Sequence, residues 1–533
     1  MTTVPEVDQA LPVRIRERWV DTRGPLFTDM YELTMCQVYV NEGIADRQSQ
    51  FDYFFRSTPD YGTHQAGYCV AAGLGPFLDW LDGLAITDAH VESLRSMRSA
   101  TGAQIFGDDY LEWLVEPGRF DGIEVRAVAE GRVVHPHEPI VSVTGPLGVC
   151  QLLETSLLNH FNYPTLIATK AARVVRSARG GRVLEFGMRR GPSTGVNEGI
   201  RAALIGGCVA TSNVEAGIAL GRQPIGTHAH ALVQAYLALA GPDGDGELEA
   251  FRAMARAAPD ECILLVDTVD TLSSGVPNAV RVFDELRAGG HEPVGVRLDS
   301  GDLAYLSVQT AKLLDVAGYP DVSIVLSSDL DELNIWQILT QIADEAEREG
   351  MDPQPIRNRL VYGVGTRLIT SHGSGALNGV YKLVGIENAE GEWTPAIKIS
   401  EEPAKIPLPG RKIAWRLYDH RDVAVTDLIG LADEDPLPTS RNVVFDPIRS
   451  GVSKVIRRDE IARIEPLHDV VFANGDGAVA IQATVDDLAA RCSGDLDHLD
   501  PGVRRLVNPH RYHVSITERL HQLRVDLVTN TEA

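Results

Sequence analysis

The sequence predicts an α/β fold containing an irregular (β/α)8-like barrel, and three observations predict it. From about 180 to 384, short apolar runs recur; helix-like stretches lie between several of them; and each run ends in glycine or a functional polar residue. Strands alternating with helices pair in parallel, and barrels of this kind carry their chemistry at the C-terminal ends of the strands. An open doubly wound sheet satisfies the same rhythm. The uneven spacing of the runs makes any barrel irregular.

The runs in order are VLEFGMRR (183–190), GCVATSN (207–213), PIGTHAH (224–230), CILLVDTVD (262–270), VGVRLDSGD (294–302), VSIVLSSDLDE (322–332), LVYGVGTRLIT (360–370) and NGVYKLV (378–384). NAVRVFDELRAG and YLSVQTAKLLDVAG are typical of the helical stretches between them. Upstream, residues 122–145 read as short strands separated by Gly and Pro turns, an antiparallel module. GVCQLLETSLLNHF and IATKAARVVRSARGG follow with helical signals, the second ending in Gly-Gly after a basic last turn. TDMYELTM (28–35) starts a short helix with Thr28 as N-cap candidate. Beyond about 385 come the Pro-rich KISEEPAKIPLPGRK and an Asp-rich tail of weak periodicity.

A net charge of −25 speaks against nucleic acid or an anionic membrane as main partner, since both need a basic face. An anionic substrate must then be held by a local cluster of Arg or Lys. The six cysteines are scattered without CxxC or zinc spacing, and read as buried small hydrophobes of a reducing compartment. The first twenty residues lack a signal-peptide core, and no apolar run reaches the roughly 20 residues that span a bilayer. A cytoplasmic protein is expected.

Five strand ends carry candidate chemistry. GVGTRL (363–368) is a Gly-rich turn whose amides and Thr hydroxyl form an anion nest, with Arg367 adding charge, or it is simply a turn. VRLDSGD puts Arg297 and Asp299 on one face, with Asp302 beyond. That pair is either a buried ion pair or a clamp for a carboxylate or phosphate beside a carboxylate for sugar hydroxyls or hydrated Mg2+. VDTVD adds Asp267 and Asp270 with the same two roles. GTHAH brings two histidines at alternate positions: polar residues at a strand end, or a nucleophilic or proton-transferring group. No third ligand near them supports zinc. EFGMRRG sets Phe186 beside two arginines, which suits a flat anionic ring or a core Phe with solvated neighbours.

In this order FTDMYELTM, EGRVVHPHEPIVSVTGPL, ATKAARV, EFGMRRG, TSNV, IGTHAH, LLVDTVDT, VRLDSGDL, SSDLDE, YGVGTRLITS, GVYKLV and NPHRYHVS resemble the nicotinate phosphoribosyltransferases, over nearly the whole chain. The resemblance implies an N-terminal α/β sandwich (1–150) completed by C-terminal segments, a barrel with the active site (151–400), and a C-terminal segment (401–533) packing on both. It implies displacement of pyrophosphate from phosphoribosyl pyrophosphate by nicotinate in NAD biosynthesis, with ATP as co-substrate through a transient phosphohistidine at His230, Mg2+ assistance, and a homodimer sharing its active sites.

By the same resemblance, Tyr31, supplied from the partner subunit, and Phe186 sandwich the nicotinate ring. Arg297 and Thr227 hold its carboxylate. Arg189, Gly363, Gly365, Thr366 and Arg367 hold the ribose phosphate, Asp299 the ribose hydroxyls, and Asp267 steers Mg2+ and pyrophosphate; the metal's ligands are open. Ser212 stands where nicotinamide phosphoribosyltransferases carry an Asp, which favours nicotinate, and THAH argues against a quinolinate enzyme. The family's usual length is shorter, so extra sequence is expected within 335–360 and 430–505. The non-enzyme alternative is a barrel that senses a nucleotide or phosphosugar; retention of His230 argues against it.

Overall fold

The computed structural model describes residues 24–241, 244–398, 402, 405–449, 451–473 and 483–532. The reading of the N-terminal twenty residues and part of the Pro-rich stretch therefore lie outside the described residues. Three six-stranded sheets organise the chain.

The central one is parallel. Its strands are β1 (Arg182–Glu185), β2 (Ala210–Thr211), β3 (Ile263–Leu265), β4 (Gly295–Leu298), β5 (Ser323–Leu326) and β6 (Leu360–Val364), in the order β2-β1-β6-β5-β4-β3. Their apolar runs are buried on both faces, as parallel strands covered by helices require. Helices such as Val276–Ala288, Leu303–Val316 and Glu332–Arg348 join the largest apolar core around this sheet.

Six of the eight expected runs thus pair as parallel strands, and two do not. PIGTHAH forms no strand: Ile225 N–H donates to Thr211 O beside β2 at 2.9 Å, and Leu265 N–H donates to His228 Nε2 on β3 at 2.9 Å. This segment lies between the two edge strands with one bond to each, and no closed barrel forms among the described residues. NGVYKLV joins a different sheet, pairing antiparallel with Gln48–Phe55 with Tyr381 opposite Tyr53. An apolar run alone does not say whether its partner is parallel or antiparallel.

That second sheet has the order Trp393–Pro395, Gly379–Glu387, Gln48–Phe55, Val141–Pro146, Glu124–Val128, His468–Ala473. The expected antiparallel module at 122–145 lies in it. The third sheet runs Ser453–Arg457, Arg441–Phe445, Val514–Thr517, Ala424–Leu431, Lys412–Tyr418, Arg463–Pro466. It shares a core with the second sheet, where Ile429 and Ile516 pack with Phe51 and Val143.

Two local expectations change. The second helical signal forms part of one long helix, Glu154–Ser177, which continues through Pro164. At the first helix, Met30–Asn41, Asp29 occupies the N-cap, and Thr28 instead donates to Glu32 at 2.6 Å. All six cysteines are buried and free, as expected. No helix among the described residues is long and apolar enough to cross a membrane.

Buried ion pairs tie these layers together. Arg416, 1% exposed, donates to both oxygens of Asp427 at 2.9 and 2.7 Å, to Asp495 at 3.0 Å and to Val133 O at 2.7 Å. Glu332 is wholly buried at the start of its helix, 2.7 Å from Lys170, 3.2 Å from Arg173 and 2.8 Å from His64. Burial alone would raise the Glu332 carboxyl, but His64, Lys170 and Arg173 outweigh it and hold it well below the usual carboxylate range.

Removing one partner of such a pair strands the other in low dielectric. Arg416→Met is expected to cost roughly 3–5 kcal/mol, read as a lowered denaturation midpoint. Because the folded Glu332 carboxyl is depressed, its stabilisation is present above the ordinary value of 4.5 and is lost as pH falls below it. The stability gap between wild type and Glu332→Gln should therefore be widest near neutral pH and shrink on acidification.

Candidate functional site

Parallel strands end with their last residues side by side, which is how distant segments of this chain come to share one polar cluster. Arg297 and Asp299 leave the end of β4 on the same face, two residues apart. The guanidinium is held on three sides. Its Nε donates to Ser327 Oγ at 2.8 Å, Nη1 to Thr227 Oγ1 at 2.9 Å, and Nη2 to Asp299 Oδ1 at 2.7 Å. Ser327, just past β5, also donates to Asp299. Burial works against the Asp299 charge, but Ser327 and Arg297 keep its carboxyl below the usual range. The result is a fixed cation whose remaining N–H groups are available to an anion.

Phe186, just past β1, lies beside it, with the Arg297 guanidinium carbon 5.9 Å from the ring centroid. The glycines of GVGTR explain this approach. A Cβ on Gly363 would sit 2.7 Å from the Phe186 ring, and one on Gly365 would sit 3.0 Å from Phe186 O. The first glycine of the turn is thus required by the aromatic ring as well as by any anion. Thr366 is exposed at the start of the short helix Thr366–Ile369, and Arg367 pairs with Asp331 at 2.6 Å.

The two histidines of GTHAH separate cleanly. His228 is 8% exposed; its Nε2 accepts the Leu265 N–H, and its Nδ1 faces Ala229 O at 3.3 Å. These bonds select the neutral ring with its proton on Nδ1, and burial lowers its pKa accordingly. His230 opens the helix His230–Ala240 with its side chain 38% exposed and Nε2 3.1 Å from Asp267 Oδ1. Donation from Nε2 to that carboxylate leaves the lone pair on Nδ1. Asp267 is buried, and its other oxygen accepts from Asp299 N at 3.2 Å and Ser300 Oγ at 2.5 Å.

Other expected residues lie outside the hydrogen-bonded set of Arg297, Asp299, Ser327 and Thr227. Tyr31 is 46% exposed on the first helix, near Glu32, Glu154 and Asp29, and burial of part of the ring together with these acids raises its pKa. Arg189 is exposed on the turn Met188–Arg190. Ser212 is half-buried, its N–H donating to Glu185 O at 3.0 Å. Asp302 and Asp270 are helix caps, accepting from Ala304 and Tyr305 and from Ser273 respectively. Sequence reasoning missed Ser327, Ser300 and Glu185. The serines read as turn residues, and only the doubled serine of SSDLDE at a strand end hinted at more.

Models of three nicotinate phosphoribosyltransferase segments match the chain: the N-terminal domain over residues 26–162, the family over 182–408 and the C-terminal domain over 411–524. The nicotinate phosphoribosyltransferase of Bacillus subtilis (strain 168) is 37% identical over 496 residues, covering 92% of this chain and 93% of the relative. That of Caenorhabditis elegans is 33% identical, covering 93% of this chain and 92% of the relative. The crystal structure of human nicotinic acid phosphoribosyltransferase superposes with a TM-score of 0.77 at 29% identity, covering 94% of this chain and 99% of that one.

The two histidines differ in what their loss does to the fold. His228→Ala leaves the buried Leu265 N–H unpaired and should cost roughly 1–3 kcal/mol in stability. His230→Ala, at a partly exposed position, should stay within about 0.5 kcal/mol, both read by chemical denaturation.

Proposed function

The chain belongs to the nicotinate phosphoribosyltransferase family, and from that premise we infer how its strand-end cluster joins nicotinate to a phosphorylated ribose. Nicotinate is a flat ring bearing a carboxylate and a free pyridine nitrogen. The observation that carries the reading is the Arg297 guanidinium, fixed on three sides beside the face of Phe186. Such a cation meets a carboxylate while the aromatic face meets the ring, and its geometry is set before substrate arrives. Thr227 adds a hydroxyl. Nothing acidic stands at Ser212 to repel the anion.

With the ring so held, its nitrogen attacks the anomeric carbon of phosphoribosyl pyrophosphate. The C–N bond forms as the C–O bond to pyrophosphate breaks, and the electron pair leaves with pyrophosphate. Asp299, kept ionised by its neighbours, suits the ribose hydroxyls. The turn at Gly363, Gly365 and Thr366, with Arg189, suits the phosphate; Arg367 acts there only by exchanging Asp331 for it. Catalysis is mostly positioning plus stabilisation of charge on the departing group.

ATP coupling falls to His230. Its Nδ1 lone pair attacks the γ-phosphorus, an N–P bond forms, and ADP leaves; hydrolysis later returns the histidine and phosphate. Asp267 orients the ring and stabilises the positive charge it gains. Mg2+ normally keeps its waters and binds through few carboxylates plus phosphate oxygens. Both Asp267 oxygens already accept hydrogen bonds, whereas Asp299 has only Oδ1 engaged, so Asp299 Oδ2 is the protein oxygen that fits a hydrated Mg2+ carried by the phosphates.

A homodimer is the proposed assembly. Met30, Tyr31, Met35 and Val38 are 36–55% exposed along one face of the first helix, which suits a subunit contact that brings Tyr31 over the partner's ring site. The parallel sheet, with 224–230 between its edge strands, is read as a barrel left open on that side. The sandwich, barrel and C-terminal segments of 1–150, 151–400 and 401–533 remain the proposed division, and the cytoplasm the proposed location.

Pyrophosphate release should appear with nicotinate, rise with ATP, and be small with nicotinamide or quinolinate. His230→Ala should keep basal turnover and lose the ATP response. Arg297→Ala should raise the KM for nicotinate by about tenfold or more, since a charge-assisted bond contributes roughly 1.5–3 kcal/mol. Equal turnover of nicotinamide would defeat the Ser212 argument.

A further inference from the structure

We propose that Glu185 is a positioning residue for the nicotinate ring site, tying the turn that carries Phe186 to the turn that carries Ser212 through one buried carboxylate. The proposal rests on the reading above that sets the nicotinate ring against Phe186 with Ser212 close to the anion.

Glu185 ends β1 and is 0% exposed. Its Oε1 accepts the N–H of Gly187, the residue directly after Phe186. Its Oε2 accepts the Thr211 hydroxyl at 2.7 Å, and Thr211 directly precedes Ser212. Its backbone oxygen takes the Ser212 N–H at 3.0 Å. Thr211 Oγ1 in turn accepts from Asn213 N at 3.0 Å, so the hydroxyl hydrogen is directed at Glu185. Phe186 itself is held by its N–H on Val364 O at 2.8 Å and by the bare Cα of Gly363 against its ring.

On one side β1 pairs along its whole length with β6, from Arg182–Val361 to Glu185–Val364, but its pairing on the other side is short. β1 pairs with β2 only through Leu184–Ala210 and Glu185–Thr211. The carboxylate adds a side-chain link at the last of these rungs, where a ladder would otherwise fray. Both of its partners are donors, so the group serves as an ionised acceptor, although burial raises its pKa. An Ala or Gly in its place would let the two turns separate without touching any substrate atom. A fully buried charge that costs desolvation and meets only neutral donors is poorly explained by stability alone. It is well explained by holding two halves of a binding site in register.

Single variants at Glu185 and Thr211, their double variant and a control at Phe186 test this in steady-state assays varying nicotinate and phosphoribosyl pyrophosphate separately. Glu185→Gln and Thr211→Val each weaken the same link and should raise the nicotinate KM about fivefold, the worth of roughly one hydrogen bond, with the phosphoribosyl pyrophosphate KM within about twofold. Thr211→Ser keeps the hydroxyl and should restore the wild-type KM. The double variant should be no worse than either single one, because both break one bond. Unchanged nicotinate KM in Glu185→Gln and Thr211→Val, with only a lower thermal midpoint, would reduce Glu185 to a structural role and overturn the proposal. Phe186→Ala separates the two levels: if it raises the nicotinate KM while the Glu185 and Thr211 variants do not, the ring site stands and only this inference falls. If Phe186→Ala also leaves that KM unchanged, both fall.

Discussion

The guanidinium of Arg416 is the point at which the molecule is fastened. It is fully buried, yet every direction it faces is answered: Asp427 on the neighbouring strand, Asp495 on the helix Val485–His498, and the backbone of Val133 from the first third of the chain. Asp495 also takes Arg132 at 2.8 Å, and Arg132 reaches Glu465 at 2.7 Å on the edge strand of the third sheet. A buried cation without these partners would be prohibitively costly, so the third sheet, the Val485–His498 helix and the short strand Val133–Val134 must meet in this one arrangement. The aromatic stack of His135 on Tyr512, with ring centroids 3.8 Å apart, lies against the same network and joins the motifs EGRVVHPHEPIVSVTGPL and NPHRYHVS.

The fixed frame lets the parallel sheet spend its strand ends on chemistry. Arg297 is an ion pair and a candidate clamp at once. Its bonds to Ser327, Thr227 and Asp299 hold it in place without covering all of its donors. The same economy governs the histidines. His228 stitches the segment 224–230 to β3, which leaves His230, two residues on, aimed at Asp267 with its other nitrogen unburdened. One histidine holds the fold, and the other is the proposed site of phosphorylation.

Much of this was legible in the sequence because strand ends advertise themselves. Apolar runs stopping at Gly, Asp, Arg or His placed six parallel strands and nearly all of the cluster at Arg297. What the sequence hid has definite causes. NGVYKLV looks like the other runs, yet its hydrogen bonds go to a strand more than three hundred residues earlier. PIGTHAH looks like a strand, but it spans a gap, using an imidazole where a ladder would use a carbonyl. Ser327 and Glu185 carry no pattern of their own, since a serine in a turn and a glutamate at a strand end are common everywhere.

Sequence alone determined the α/β rhythm, the acidic net charge, the strand-end residues and, through a dozen ordered motifs, the family. Those properties are local or additive along the chain, so order and composition contain them. Tertiary structure decided which sheet each strand entered, that the parallel sheet is not closed by strand pairing, which histidine is structural, and why Gly363 has no side chain. Each of these depends on contacts between segments far apart in the chain, where distance, burial and the count of satisfied donors choose between readings that the sequence leaves equal.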